Sequence, residues 1–205
     1  MTDRRTALLD AAVQQIAAKG ARGMRVEEVA RAAGVSPALI YHHFGDRATL
    51  LQRALEHIGA WANVYTTPDA GTGREMVVQL LVDEIQDDPT VRTNSIAWGE
   101  LRNTSFFDEA LRPTVKELTD RWIDDVAQLI AQGQRDGTVA DGHDAAALGI
   151  GLTGIVEGLS GRWLTGQMTT AEARRHVAVL VNAVLDAPVP SKPAATRASR
   201  RPRHA

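Results

Sequence analysis

The sequence predicts an all-α fold of about nine helices. Apolar residues recur at helical spacing in segment after segment, no stretch alternates as a strand does, and Gly, Pro, Ser and Asp punctuate the intervals. At 205 residues and 44% hydrophobic content, the chain can build a real core. It has no Cys, which excludes disulfides and thiolate metal sites. The N-terminus lacks a secretory h-region, and the longest apolar stretch, 145–164, is interrupted by Glu157, Arg162 and five glycines. A membrane span is therefore not expected, and the cytoplasm is the expected compartment.

Residues 4–19 form the first helix, with Leu8, Leu9, Ala12, Val13, Ile16 and Ala17 on one face and Gly20 just past its end. Val26, Val29, Ala30 and Ala33 define a short second helix, which Gly34 can end in a left-handed conformation. Ser36 supplies an N-cap and Pro37 takes the first helical position, where its missing N–H costs nothing. A third helix must begin there. Its Leu39, Ile40 and Phe44 point inward, leaving Ala38, Tyr41, His42 and His43 on or near the outer face. Two short helices, a tight glycine turn and a polar aromatic outer face describe a helix-turn-helix. An ordinary helical hairpin shares the turn, but an outward aromatic and two imidazoles bury little, whereas they can donate to phosphates and touch base edges.

Gly45 ends the third helix and Asp46 caps the next, whose Leu50, Leu51, Ala54, Leu55, Ile58 and Trp61 carry it to about Tyr65. With its first turn at the DNA and its far end in the second half, this helix is the natural lever. Helices follow at about 74–86, 89–102, 107–135, 144–164 and 170–186; Thr104 or Ser105 is available to cap the long helix, and Pro113 kinks it or delays its start. The expected division is a DNA-binding domain at 1–48, linked by the 46–65 helix to a helical domain at 49–187, then a basic Pro/Ala/Arg tail at 188–205 expected to be disordered.

Charge is unevenly spread. Residues 1–67 hold 8 Lys/Arg against 6 Asp/Glu, residues 68–187 hold 10 against 19, and residues 188–205 hold 5 against none. A mildly basic end joined to an acidic body suits DNA at one end only.

The run from Arg4 through Leu55 resembles the DNA-binding domain of the TetR family of bacterial transcriptional regulators, in ALLDAAVQQIAAKG at 7–20, VEEVARAAGVSPALIYHHF at 26–44 and GDRATLLQRALE at 45–56. The resemblance implies a homodimeric repressor that binds double-stranded DNA at a palindromic operator. Carried over by position, Tyr41, His42 and Arg47 fall at the DNA, together with Ser36, Pro37 and Ala38 at the start of the reading helix. Many members have a hydroxyl pair before the second helix; here Met24–Arg25 stands instead, which makes Arg25 the candidate phosphate ligand.

Residues 149–154, GIGLTG, fit a dinucleotide fingerprint, but no strand or βαβ unit accompanies it. The small residues follow another pattern: Ala147, Gly151, Gly154, Gly158 and Gly161 share one helical face. Interior glycines cost about 1 kcal/mol each relative to alanine, and close approach of another helix is what offsets that. With Val177, Leu180, Val181 and Val184 on the next helix, the stripe predicts a four-helix dimer interface, where the family resemblance also implies one. Packing within the subunit is the competing explanation.

Trp61, Trp98, Phe106, Phe107 and Trp122 cluster in or beside the middle helices of an aromatic-poor chain. They suggest a pocket for a small apolar or amphipathic ligand, with Trp61, Trp98 and Trp122 as walls and Arg102 and Glu157 among the polar groups that orient it. Such a ligand would move the lever helix and release DNA. The acidic runs 83–88 and 124–125 read as solvated faces or helix ends. No cofactor, no metal site and no convergent acid/base pair is evident, so an enzyme is disfavoured. The competing class is a ligand-independent architectural DNA binder assisted by the basic tail.

Overall fold

The computed structural model describes residues 4–65 and 70–187, with side chains for all of these except 63–65. The expected disordered tail at 188–205 lies outside the described residues. Among the described residues there are nine α-helices and no strand, and no helix is long and apolar enough to cross a membrane. The first is α1 (Arg4–Gly23), broken at Gly20, where φ is 74°. The helix-turn-helix comprises α2 (Val26–Ala32) and α3 (Pro37–Phe44), joined through Gly34 at φ 67°. A side chain in that left-handed turn would be strained, so glycine sets the sharp reversal. At the start of α4 (Arg47–Tyr65), Asp46 Oδ1 accepts the Thr49 N–H at 2.7 Å, the cap expected from sequence.

The second half contains α5 (Gly73–Val82), α6 (Pro89–Thr104), α7 (Arg112–Asp136), α8 (Ala145–Leu164) and α9 (Thr170–Leu185). Two boundaries differ from the sequence expectation, the end of α5 and the start of α7, while α6 starts at Pro89 as expected. The α5 helix stops at Val82, and Asp88 accepts the N–H groups of Thr90 and Val91 to start α6 at Pro89. The long helix α7 starts at Arg112, with Pro113 in its first turn, after a 3-10 turn at Glu109–Leu111 capped by Asp108. Neither Thr104 nor Ser105 caps it; Ser105 closes α6, donating its Oγ–H to the Arg102 carbonyl at 2.7 Å.

The apolar side chains gather into two cores. One holds Leu8, Ile16, Val29, Ile40, Phe44, Leu51 and Leu55 and extends into α6 and beyond through Ala97, Leu101 and Leu111. The other joins α5, α7, α8 and α9 through Val77, Leu81, Val126, Ile130, Leu152, Val156, Val177 and Val181. Thus α6 belongs structurally to the N-terminal helices as much as to the bundle.

Candidate DNA-binding face and internal cavity

On α3, Ile40 and Phe44 are buried at 1% and 4% exposure, which turns the opposite side of the helix outward. Ser36, Ala38, Tyr41, His42 and His43 are all exposed, Tyr41 at 45%, and Pro37 is half-buried at the first helical position. Ser36 occupies the N-cap position with extended backbone, but its hydroxyl makes no capping bond. Arg25 is exposed at the N-cap position of α2, again without a side-chain cap. Arg5 lies with its guanidinium 5.7 Å from the Phe44 ring centroid.

Arg47 departs from the expected phosphate contact. Its guanidinium turns inward, Nε donating to the Met24 carbonyl at 3.3 Å and Nη2 to the Ala21 carbonyl. The α1–α2 corner leaves these carbonyls without helical partners, and a guanidinium from the first turn of α4 satisfies them. The same corner is held from the other side by α6: Glu100 Oε2 accepts the Ala21 N–H at 3.2 Å. Between α1 and α4, His57 Nε2 lies 2.7 Å from Asp10 Oδ1.

Beside Glu100 on α6 the wall of a cavity begins. A partly open cavity of about 540 Å³ lies between α4, α5, α6, α7 and α8, lined by Ile58, Gly59 and Ala62, by Leu80 and Glu84, by Asn94, Trp98 and Arg102, by Leu118, Arg121, Trp122, Asp125 and Leu129, and by Val156, Glu157, Ser160 and Leu164. Of the pocket residues expected from sequence, Trp98, Arg102, Trp122 and Glu157 come together here. Trp61 does not; α4 presents positions 58, 59 and 62 to the cavity, and Trp61 projects from another side at 39% exposure. Phe106 and Phe107 are likewise outside, exposed at 66% and 78%, with Arg22 over the Phe107 ring at 5.1 Å.

Arg102 Nη1 donates to Glu157 Oε2 at 2.6 Å across the cavity wall. The spare atoms of that pair, Arg102 Nε and Glu157 Oε1, have no partner, nor do Asn94 Nδ2 and Trp122 Nε1. Glu84 and Asp125, expected from sequence on solvated faces or at helix ends, line the cavity instead. Burial, reinforced by Asp83, pushes the Glu84 carboxyl up to about 8. Burial also raises Asp125, with Arg121 opposing and Asp124 adding to the shift. The rest of the 83–88 run is at helix ends as expected: Asp88 caps α6, and Asp83 accepts from Arg174 at 3.0 Å. Trp122 and Asp125 stand one turn apart on α7, but Glu84 lies beyond the end of α5 at Val82, so spacing alone does not mark these acids as inward.

The α8 helix runs through all of GIGLTG, so the motif forms no phosphate loop. Gly149 meets α7, since a Cβ there would lie 2.9 Å from the Ile123 carbonyl oxygen. A Cβ added at Gly151, Gly154, Gly158 or Gly161 would meet no neighbour within 4 Å, so the stripe does not pack within the subunit. Around it Ile150, Val179 and Leu180 are exposed at 61%, 59% and 39%. Two expected interface residues are corrected: Val177 and Val181 are fully buried in their own subunit's core, on the same face of α9 as Ala173 and Leu185. Leu180 and the half-buried Val184 remain toward the outside.

Comparison with known proteins agrees with this architecture. Residues 8–54 match the profile of bacterial regulatory proteins of the tetR family, and residues 73–186 match that of the BetI-type transcriptional repressor C-terminal domain. The HTH-type transcriptional regulator BetI of Rhizobium meliloti is 31% identical over 160 residues, which cover 76% of this chain and 75% of that one. A solved Rhodococcus sp. protein assigned to the TetR family is 40% identical, with a TM-score of 0.83 over 90% of this chain and 100% of that one. A Saccharomonospora viridis protein assigned as a transcriptional regulator, crystallised in complex with choline, is 26% identical with a TM-score of 0.78, over 87% of this chain and 95% of that one. The chain belongs to the TetR family of DNA-binding transcriptional regulators, with a C-terminal domain of the BetI type.

Proposed function

We propose that the protein is a homodimeric repressor that binds a near-palindromic operator through α3 and is released when a small molecule enters the cavity. The observation that carries this is the double role of α6. It walls the cavity with Trp98 and Arg102, and through Glu100 it holds the α1–α2 corner on which the helix-turn-helix is built. A ligand that favours a shifted α6 biases the orientation of α3 by its differential affinity for the two states. The exposed α3 face supports Ser36, Ala38, Tyr41 and His42 as DNA contacts, with Arg25 at a phosphate. The open glycine face, with Leu180 and Val184 beside it, supports pairing of α8 and α9 from two copies, which doubles the bases read and imposes two-fold symmetry on the operator. The choline complex of the Saccharomonospora viridis neighbour supports a small organic molecule as effector.

Footprinting on the protein's own upstream DNA, with light scattering of the free protein, tests the whole reading. One protected palindrome bound by a dimer, lost on adding effector, is the expected result. Diffuse protection that no compound relieves would instead favour an architectural DNA binder.

A further inference from the structure

We infer that the cavity takes an amphipathic organic cation with a sizeable apolar body, its charge held by Glu84 and Asp125; this rests on the cavity being the effector site proposed above. Size comes first. A cavity of about 540 Å³ equals roughly 18 water volumes at ~30 Å³ each, so a bare small ammonium ion leaves most of it unfilled. The wall is mainly apolar, with Ile58, Leu80, Leu118 and Leu129 offering an aliphatic seat.

Charge gives the sign. Both guanidiniums on the wall are already committed, Arg102 to Glu157 at 2.6 Å and Arg121 to Glu117 at 2.9 Å. Among the described residues no ion pair engages Glu84 or Asp125. The nearby Arg121 charge offsets part of the cost of ionising Asp125, nothing among the described residues offsets that of Glu84, and an arriving cation supplies what the wall lacks. An anion would meet two acids that no ion pair engages. Trp98 and Trp122 line the same space, and indole rings are good partners for an alkylammonium. Asn94 gives an independent sign that something is missing: it is 5% exposed, lines the cavity, and its Nδ2 has no partner. A ligand oxygen would complete it, at a place no protein group reaches.

Calorimetric titration of the full-length protein with octyltrimethylammonium, tetramethylammonium, octanoate and octanol tests both halves of the inference. Octyltrimethylammonium is expected to bind at least about tenfold more tightly than each of the others, the octyl chain and the charge both contributing. Glu84→Gln and Asp125→Asn are each expected to weaken that cation about tenfold while leaving octanol unchanged. Melting curves check that both variants fold. Equal binding of octanoate or octanol, equal binding of tetramethylammonium, or full cation affinity in both variants would overturn the inference. Operator release is scored separately by fluorescence anisotropy: a cation that binds as described without releasing DNA removes the regulatory reading and leaves the site standing.

Discussion

The Glu100 carboxylate accepts the backbone N–H of Ala21 at 3.2 Å, and this bond joins a cavity helix to the corner from which the DNA-reading helices depart. Gly20 has no side chain, and a Cβ there would lie 2.9 Å from the same carboxylate oxygen. The contact is therefore close on both sides of the peptide. Glu100→Ala is expected to weaken operator binding about fivefold, the loss of one charge-assisted bond of ~1 kcal/mol. Because Glu100 lines no part of the cavity, effector binding in the same variant is expected to be unchanged by calorimetry.

Tyr41 sits on the outer face of α3 at 45% exposure and belongs to neither core. Tyr41→Ala is expected to lower specific operator affinity by about tenfold or more while the melting temperature and the dimer are retained. Anisotropy against operator and scrambled duplexes distinguishes loss of specificity from loss of fold.

Gly154 and Val181 report on different surfaces of adjoining helices. No atom lies within 4 Å of a Cβ added at Gly154, so Gly154→Leu is expected to leave the subunit folded and to yield monomers by light scattering. Val181 is fully buried, so Val181→Ala is expected to cost about 2 kcal/mol of subunit stability, read by urea unfolding. An unchanged dimer in the glycine variant would assign the stripe another role.

Stability is expected to depend on pH through Glu84. Its folded carboxyl titrates near 8 against an ordinary 4.5, so between those values the folded chain keeps a proton that the unfolded chain has released. Stability from this group is complete below about 4.5 and falls as pH rises through 8, and Asp125 acts in the same direction. Asp83 on the same turn, Asp125 and Arg121 on α7, Arg102 on α6 and Glu157 on α8 are the other charged groups near this space. Glu84→Gln is expected to remove the slope and to stabilise the protein by about 2 kcal/mol at pH 8.5, less than the whole shift because water reaches the cavity. Melting temperatures from pH 5 to 9 give the comparison.

The helix-turn-helix is legible in the sequence because its signals are local. Gly34, Pro37 and the Ile40/Phe44 spacing act within a few residues of where they stand, and the turn and the exposed face follow from them. The departures at the candidate sites concern which side a residue faces. On α9 the residues Val177, Val179, Leu180, Val181 and Val184 leave almost no polar side, so spacing alone does not say that 177 and 181 go inward. Glu84 and Asp125 stand in acidic runs, one of which caps a helix with Asp88, and only the packing of five helices around a space separates them. Arg47 stands where the family pattern points to DNA, while the carbonyls that attract it come from a corner over twenty residues earlier.

Arg47 has one more effect, seen through ionic strength. A guanidinium engaged by main-chain oxygens displaces no counterion from the duplex, whereas each phosphate neutralised steepens the dependence of log affinity on log salt by about 0.9. Replacing Arg47 with alanine is therefore expected to lower affinity by loosening the corner and to leave that slope as it was, while the same change at Arg25 makes it shallower.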